Sequence, residues 1–247
     1  MTVTPAPRAA QLRTTDELRA LADQGNADLG SLTDRESSAH EVLEWVADNF
    51  AVEAAAVASS MADATIPFLV SEHLPGVDVI FLDTGYHFVE TLWTRHQVQD
   101  RLDVRVVDVY PEQTVAAQGV EFGRDLYLRD PSLCCKRRKV IPLSQTLAGY
   151  EVWFSGVRRD ETESRARTPL ITWDERNGLV KVNPIAAWKA EDVAAYAAPR
   201  DIPMNPLLSM GYPSIGCEPC TSRVSEGADP RSGRWAGFEK TECGLHI

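Results

Sequence analysis

No run of eighteen apolar residues occurs in the 247-residue chain, so nothing in it is long enough to cross a bilayer as a helix, and no membrane partner is expected. The opening residues, MTVTPAPRAAQLR, hold no apolar stretch of the kind that makes a secretory signal, and residues 1–13 read as a disordered lead-in. Cysteine is scarce and odd in number, five in all, which argues against a disulfide scaffold and for a reducing cytoplasm. No internal repeat is present. A basic excess is also missing: the formal net charge is −11, which disfavours nucleic acid as a partner.

The charge that is present is unevenly placed. Residues 1–133 sum to −13, residues 134–167 to +4 and residues 168–247 to −2. The positive segment holds CCKRRK and RRDETESRAR, and cations gathered locally in an acidic protein predict a small-anion site. A solvated cationic face is the alternative.

With 44% apolar residues the chain can bury one large α/β core or two small ones. Thr14 with Glu17 and Ser38 with Glu41 predict two capped helices, the second carrying Val42, Val46 and Phe50 at helical spacing. Strands are predicted at 53–58, 77–82, 104–109 and 152–155; VDVIFL at 77–82 has the near-continuous apolar pattern of a strand buried on both faces. Helices are predicted through Phe68 and Leu69, over 89–98, over 131–147 and across WKAEDVAAYAAPRD. Such alternation implies a doubly wound, mainly parallel sheet with ligands beyond the carboxyl ends of its strands. ASSMAD, LDTG and SGVRRD fall at that edge and together predict a nucleotide pocket. Beyond Pro203 the chain is proline-punctuated and loop-rich.

The cysteines form an adjacent pair, Cys134 and Cys135, a CEPC pair, Cys217 and Cys220, and a lone Cys243 in TECGLHI. A structural zinc site suits the CEPC spacing, but two adjacent residues chelating one small ion are strained. A [4Fe–4S] cube places its ligand positions on different irons, so the spacing favours iron–sulfur over zinc. Four unliganded buried thiols and a thioredoxin-type dithiol are the weaker alternatives, since CEPC lies in a proline-rich loop rather than at a helix start. Cys243 has Gly237 and Gly244 to let it swing, and Lys240 and His246 nearby to favour a thiolate. An inert terminal thiol is the bland reading.

The markers LDTGYHF, CCKRRKV, GVRRDE, APRDIPMNPL, GCEPC, SGRW and ECGLH, from about residue 37 to the end, resemble the assimilatory sulfonucleotide reductases. This family acts on adenylyl sulfate (APS) or 3′-phosphoadenylyl sulfate (PAPS). The resemblance implies an adenine-nucleotide alpha-hydrolase-like (Rossmann-like) fold over residues 14–230 and a mobile tail, 231–247, carrying the nucleophile Cys243. It implies one [4Fe–4S] cluster per subunit on Cys134, Cys135, Cys217 and Cys220, which marks the APS-reducing, thioredoxin-dependent branch. Lys139 would link cluster and phosphosulfate, and Arg231, Arg234 and His246 would grip the phosphosulfate. Ser59 and Ser60 would form the phosphate loop, Asp83, Thr84 and Gly85 the nucleotide turn, and Arg158, Arg159 and Arg165 the arginine loop. TESR replaces the family's serine–proline–threonine–arginine, so Arg165 is the assignment that departs from the pattern. ASSMAD also lacks the glycines and lysine of the SGGKDS loop in related ATP-cleaving enzymes, which disfavours a triphosphate.

The implied reaction is attack of Cys243 on the sulfate sulfur, followed by release of sulfite by thioredoxin or a glutaredoxin-like reductant. PAPS reduction and a non-catalytic iron–sulfur, nucleotide-binding redox sensor remain alternatives. Homo-oligomerisation stays open.

Overall fold

The computed structural model describes residues 11–245. Two capping boxes open it. The Glu17 carboxylate accepts the Thr14 N–H at 2.8 Å and starts α1 (Thr15–Asp28); the Glu41 carboxylate accepts the Ser38 N–H at 2.7 Å and starts α2 (Ala39–Asn49). Each reciprocal pair satisfies backbone donors that a helix start leaves without partners.

Six strands follow: β1 (Ala55–Ala58), β2 (Val77–Leu82), β3 (Val104–Val109), β4 (Val152–Phe154), β5 (Ile171–Asp174) and β6 (Leu179–Val182). They form one sheet in the order β3-β2-β1-β4-β6-β5, parallel except for the β5–β6 pair. Helices α3 (Thr65–Ser71), α4 (Val89–Arg101), α5 (Val115–Phe122), α6 (Leu126–Arg129), α7 (Pro131–Cys135), α8 (Ile141–Leu147) and α9 (Ala190–Ala197) complete the chain. Strand side chains alternate between faces. Val57, Val79, Phe81, Phe154 and Val182 pack with α1, α2 and α3, while Ala56, Ile80 and Trp153 meet Leu143 and Leu147 of α8 on the other side. The doubly wound, mainly parallel fold expected from the sequence is the fold observed. Its order reverses between β1 and β4, which places a crevice between the loops after those two strands.

Asp78 is the polar residue of β2 and is fully buried. Arg105 Nε donates to its Oδ1 at 2.6 Å and the Tyr150 hydroxyl to its Oδ2 at 2.8 Å, so the charge is paired. The β5–β6 hairpin is not legible in the sequence, because ITWD and LVKV are each four residues long, too short to show a period. Gly178, at φ +70, closes it in a conformation other residues resist. Helix α5, started by the Thr114 hydroxyl accepting the Ala117 N–H at 3.1 Å, also went unread among small residues.

The helix predicted over 131–147 is continuous in path but widens over Lys136–Val140 into a π turn between α7 and α8. Pro142 accounts for it: its nitrogen cannot donate to the carbonyl four residues back, and its ring crowds that carbonyl.

Of the lead-in expected over 1–13, residues 1–10 lie outside those described, and Arg13 belongs to the folded body. Its Nη2 and Nε donate to Glu151 at 2.6 and 3.0 Å, and its guanidinium lies 4.5 Å from the Phe50 ring centroid. At the other end, the boundary expected at 231 falls in a largely exposed turn that leads into buried Gly233 and Trp235. Trp235 is 3% exposed and Thr221 bridges Arg234, so the chain is held until Trp235 and becomes exposed at 236–239.

Candidate active site

Four thiols converge on one cavity. Cys134 and Cys135 come from α7, Cys217 and Cys220 from the proline-rich loop, and Tyr86, Tyr127, Pro131, Pro219 and Trp235 close the wall with Arg138, Lys139 and Arg234. The turn after β2 positions the loop. The Tyr86 carbonyl accepts the Glu218 N–H at 2.8 Å, and Thr84 Oγ1 lies 3.3 Å from Cys217 Sγ. Gly85 is required there: at φ +73, a Cβ would stand 2.9 Å from Val115 and 3.4 Å from Arg138. The π turn carries Arg138 and Lys139 to the same wall. Arg138 is 4% exposed and fixed by donating from Nε to the Thr84 carbonyl at 2.5 Å and from Nη1 to Gln118 at 3.1 Å.

The electrostatics of the cavity follow from this packing. Burial, with the nearby Cys135, Cys217 and Cys220 adding to it, pushes the Cys134 thiol up to about 12. Cys220 rises to about 11 for the same reasons. Cys217 goes the other way: burial opposes its thiolate, but the Lys139 ammonium, the Thr84 hydroxyl and Arg234 together outweigh burial. Lys139 is itself held above its ordinary value, because Cys217, Cys243 and Cys135 outweigh the burial that would discharge it. An all-sulfur donor set in a dry pocket can hold its thiolates together around a positive centre, and these residues fit a thiolate-ligated metal group. Among the described residues no three such groups close on the position of a single ion, and the sulfurs are spread around the wall instead.

Cys243 approaches from the tail. It lies within electrostatic reach of Lys139, Cys135 and Arg234. Arg234 is pinned by Ser214 Oγ and the Ile215 carbonyl, at 3.3 and 3.2 Å, with its guanidinium 4.5 Å from the Trp235 ring centroid. Arg231 donates to the Thr241 carbonyl at 2.8 Å. The Nε atoms of both arginines are buried with no hydrogen-bond partner among the described residues.

The other expected site residues are more scattered. Ser59 and Ser60 follow β1, where the Ser59 hydroxyl accepts the Met61 N–H at 3.2 Å. Met61 takes φ +58, a left-handed turn made without glycine, and Asn205 holds its carbonyl at 3.0 Å. Asp83 Oδ1 accepts the Gly85 N–H at 2.9 Å. Arg158 pairs with Asp160 at 3.1 Å. Arg159 is engaged elsewhere: its Nη1 and Nη2 reach Glu36 at 2.7 and 2.6 Å, and its Nε the Thr168 carbonyl. Arg165 binds Glu161 and Glu242. The arginine-rich segment thus meets carboxylates of its own chain. His246 lies outside the described residues.

The sequence reading missed several groups. Thr65 is fully buried with its hydroxyl unpartnered just past the β1 loop. Arg138 sits inside CCKRRK and Glu242 inside ECGLH, where no local pattern distinguishes them from their charged neighbours. Nothing in the sequence marked Lys181, which lies under the Trp153 ring, 5.0 Å from its centroid.

Residues 54–223 match the phosphoadenosine phosphosulfate reductase domain family. An adenosine 5′-phosphosulfate reductase of Streptomyces coelicolor is 53% identical over 234 residues, 95% of this chain and 97% of that protein. One from Mycolicibacterium smegmatis is likewise 53% identical, with the same coverage. Among solved structures, a phosphoadenylyl-sulfate reductase from Candida auris superposes with a TM-score of 0.66 at 24% identity, covering 87% of this chain and all of that one, and shares its fold. With the matched domain spanning most of the chain and relatives of this identity at nearly full length, the chain belongs to the phosphoadenosine phosphosulfate reductase family and groups within it with the adenosine 5′-phosphosulfate reductases.

Proposed function

We propose that the protein reduces APS to sulfite and AMP through a sulfo-cysteine on Cys243, with the dithiol of thioredoxin or a glutaredoxin-like protein as reductant. The observation that carries this is the placement of Cys243, the one thiol outside the four-cysteine wall, within electrostatic reach of Lys139 and Arg234 on a tail tied on both sides. Kinship with the adenosine 5′-phosphosulfate reductases names the substrate class.

The Cys243 thiolate attacks the sulfate sulfur. A sulfur–sulfur bond forms as the bridging sulfur–oxygen bond breaks, and that electron pair departs on AMP. A thiolate of the reductant then attacks Cys243 Sγ and sulfite leaves with the bonding pair. The second reductant thiol displaces Cys243 from the mixed disulfide. Sulfur falls by two electrons to sulfite, and the dithiol becomes a disulfide.

One anion attacks another in the first step, so the chain must offset their repulsion. Lys139, Arg234 and Arg231 do this, two of them offering buried, unpartnered Nε–H groups. Ser59, Ser60 and Thr65 face the substrate's phosphate end, and Asp83 and Thr84 its nucleoside. Cys134, Cys135, Cys217 and Cys220 would hold a [4Fe–4S] cluster, which would supply the positive centre that keeps four thiolates together beside Lys139. Thiol chemistry of this kind suits a reducing cytoplasm.

Anaerobic protein mixed with APS and no reductant should carry a sulfonate on the peptide holding Cys243, read by mass spectrometry. Cys243→Ser should still bind APS and form none. Turnover by that variant defeats the mechanism, and absence of any adduct on the unaltered protein leaves a nucleotide-binding redox sensor as the better reading. Competition between APS and PAPS at equal concentration checks the substrate; preference for PAPS would reassign it.

A further inference from the structure

Glu242 directly precedes Cys243, and its side chain is 10% exposed. Its carboxylate fills the fork of Arg165, with Nε to Oε1 at 2.7 Å and Nη2 to Oε2 at 2.6 Å. Arg231 Nη2 stands 3.4 Å from Oε2, and the Thr162 hydroxyl 3.4 Å from Oε1. On the far side of Cys243, Arg176 donates to the Gly244 carbonyl and Leu245 packs against the core around Trp153 and Leu179. The tail is therefore tied on both sides of the thiol. Among the described residues, the side-chain ion pairs that tie it run through one carboxylate. Upstream, buried Trp235 is followed by an exposed link over 236–239 in which Gly237 takes φ +90 with open space around it. A fixed end, an exposed link and a clamped tip describe a segment with two positions.

We propose that Glu242 is the positioning residue for Cys243: its grip on Arg165 and Arg231 seats the thiol for attack on substrate, and release of that grip presents the thiol to the reductant. The inference rests on the reading of Cys243 as the nucleophile. The physical reason for release is size. A protein dithiol must approach Cys243 Sγ in line, and a tail held on both sides of a half-buried thiol leaves it no path. A buried bidentate guanidinium–carboxylate pair is among the stronger polar contacts, and it depends on the carboxylate's charge.

The test uses cluster-loaded protein handled anaerobically, with Glu242→Gln, which keeps the shape and removes the charge, and Glu242→Asp, which keeps the charge. Three rates are measured: alkylation of Cys243 by iodoacetamide without substrate, read on its own peptide; single-turnover adduct formation with APS; and discharge of a preformed adduct by reduced thioredoxin. For Glu242→Gln, alkylation should rise about tenfold and adduct formation fall about tenfold, as loss of a charge-assisted pair implies, while discharge is unchanged or faster. Glu242→Asp should lie between. Equal alkylation of wild type and Glu242→Gln overturns the clamp, as does a parallel slowing of both half-reactions, the mark of a general structural defect. If wild type forms no adduct, the nucleophile reading fails by itself, and the alkylation rates still decide whether Glu242 holds the tail.

Discussion

Gly216 offers a way to move one functional group without touching it. A Cβ built on Gly216 would stand 2.1 Å from Arg234 Nη2 and 2.5 Å from Cζ, against an ordinary contact of about 3.4 Å or more. In Gly216→Ala the guanidinium must therefore retreat by about 1 Å. The φ of Gly216 is not in the left-handed region, so alanine adds no backbone strain, and the atoms in the way end a long side chain. The fold can absorb the change. Arg234 cannot move freely, because the Trp235 ring lies at 4.5 Å and its bonds to Ser214 and Ile215 are already 3.3 and 3.2 Å long. A misplacement of about 1 Å in a group that orients reactants costs on the order of a hundredfold in rate. Single-turnover adduct formation on Cys243 should fall by that factor in Gly216→Ala, while the visible absorbance of the cluster and the urea midpoint stay near wild type. An adduct rate within threefold of wild type would refute the role given to Arg234. Lost absorbance would instead show that the methyl acts through neighbouring Cys217.

Two further predictions follow from buried charge. Burial lowers the Lys181 pKa from 10.5 to about 8, with Asp174 opposing and Arg165 assisting, so the folded state binds fewer protons than the unfolded chain between those values. Wild-type stability should gain about 3 kcal/mol from this group as pH rises from 8 to 10.5; Lys181→Met should lack that rise, and its advantage over wild type should be largest at or below pH 8. Parallel stability–pH curves for the two proteins in denaturant titrations would contradict the assignment. Arg159→Ala should act on stability rather than substrate, because it strands a Glu36 whose carboxyl the same arginine holds below its usual range. A loss of about 1.5–3 kcal/mol in urea unfolding with an unchanged KM for APS is expected, and a KM effect at full stability would return Arg159 to the substrate loop.

The case of Arg159 shows how far local pattern carries. GVRRDE places two arginines at a strand end, but which one faces a ligand depends on Glu36, 123 residues away in sequence. Arg165 is similar: its partner, Glu242, is 77 residues distant, and only folding makes the pair. The capped helices, the buried strand at 77–82 and the parallel order of the sheet were legible because caps and hydrophobic periodicity are local signals. The β5–β6 hairpin and α5 carried too little apolar periodicity to be read.

For the cysteines, the sequence alone determined the division into two close pairs and a single Cys243 with glycines on its flanks, since spacing is a property of neighbouring residues. The tertiary structure decided the rest. Only the turn after β2, the π turn imposed by Pro142 and the proline-rich loop bring four sulfurs to one wall with Lys139, within electrostatic reach of Cys243. Only packing buries those sulfurs far enough to oppose their charges, and the contacts that tie the tail on either side of the fifth cysteine, Glu242 to Arg165 and Arg231 before it and Arg176 to the Gly244 carbonyl after it, join segments distant in sequence. Charge pairing acts across space, and a linear pattern does not encode which ends will meet.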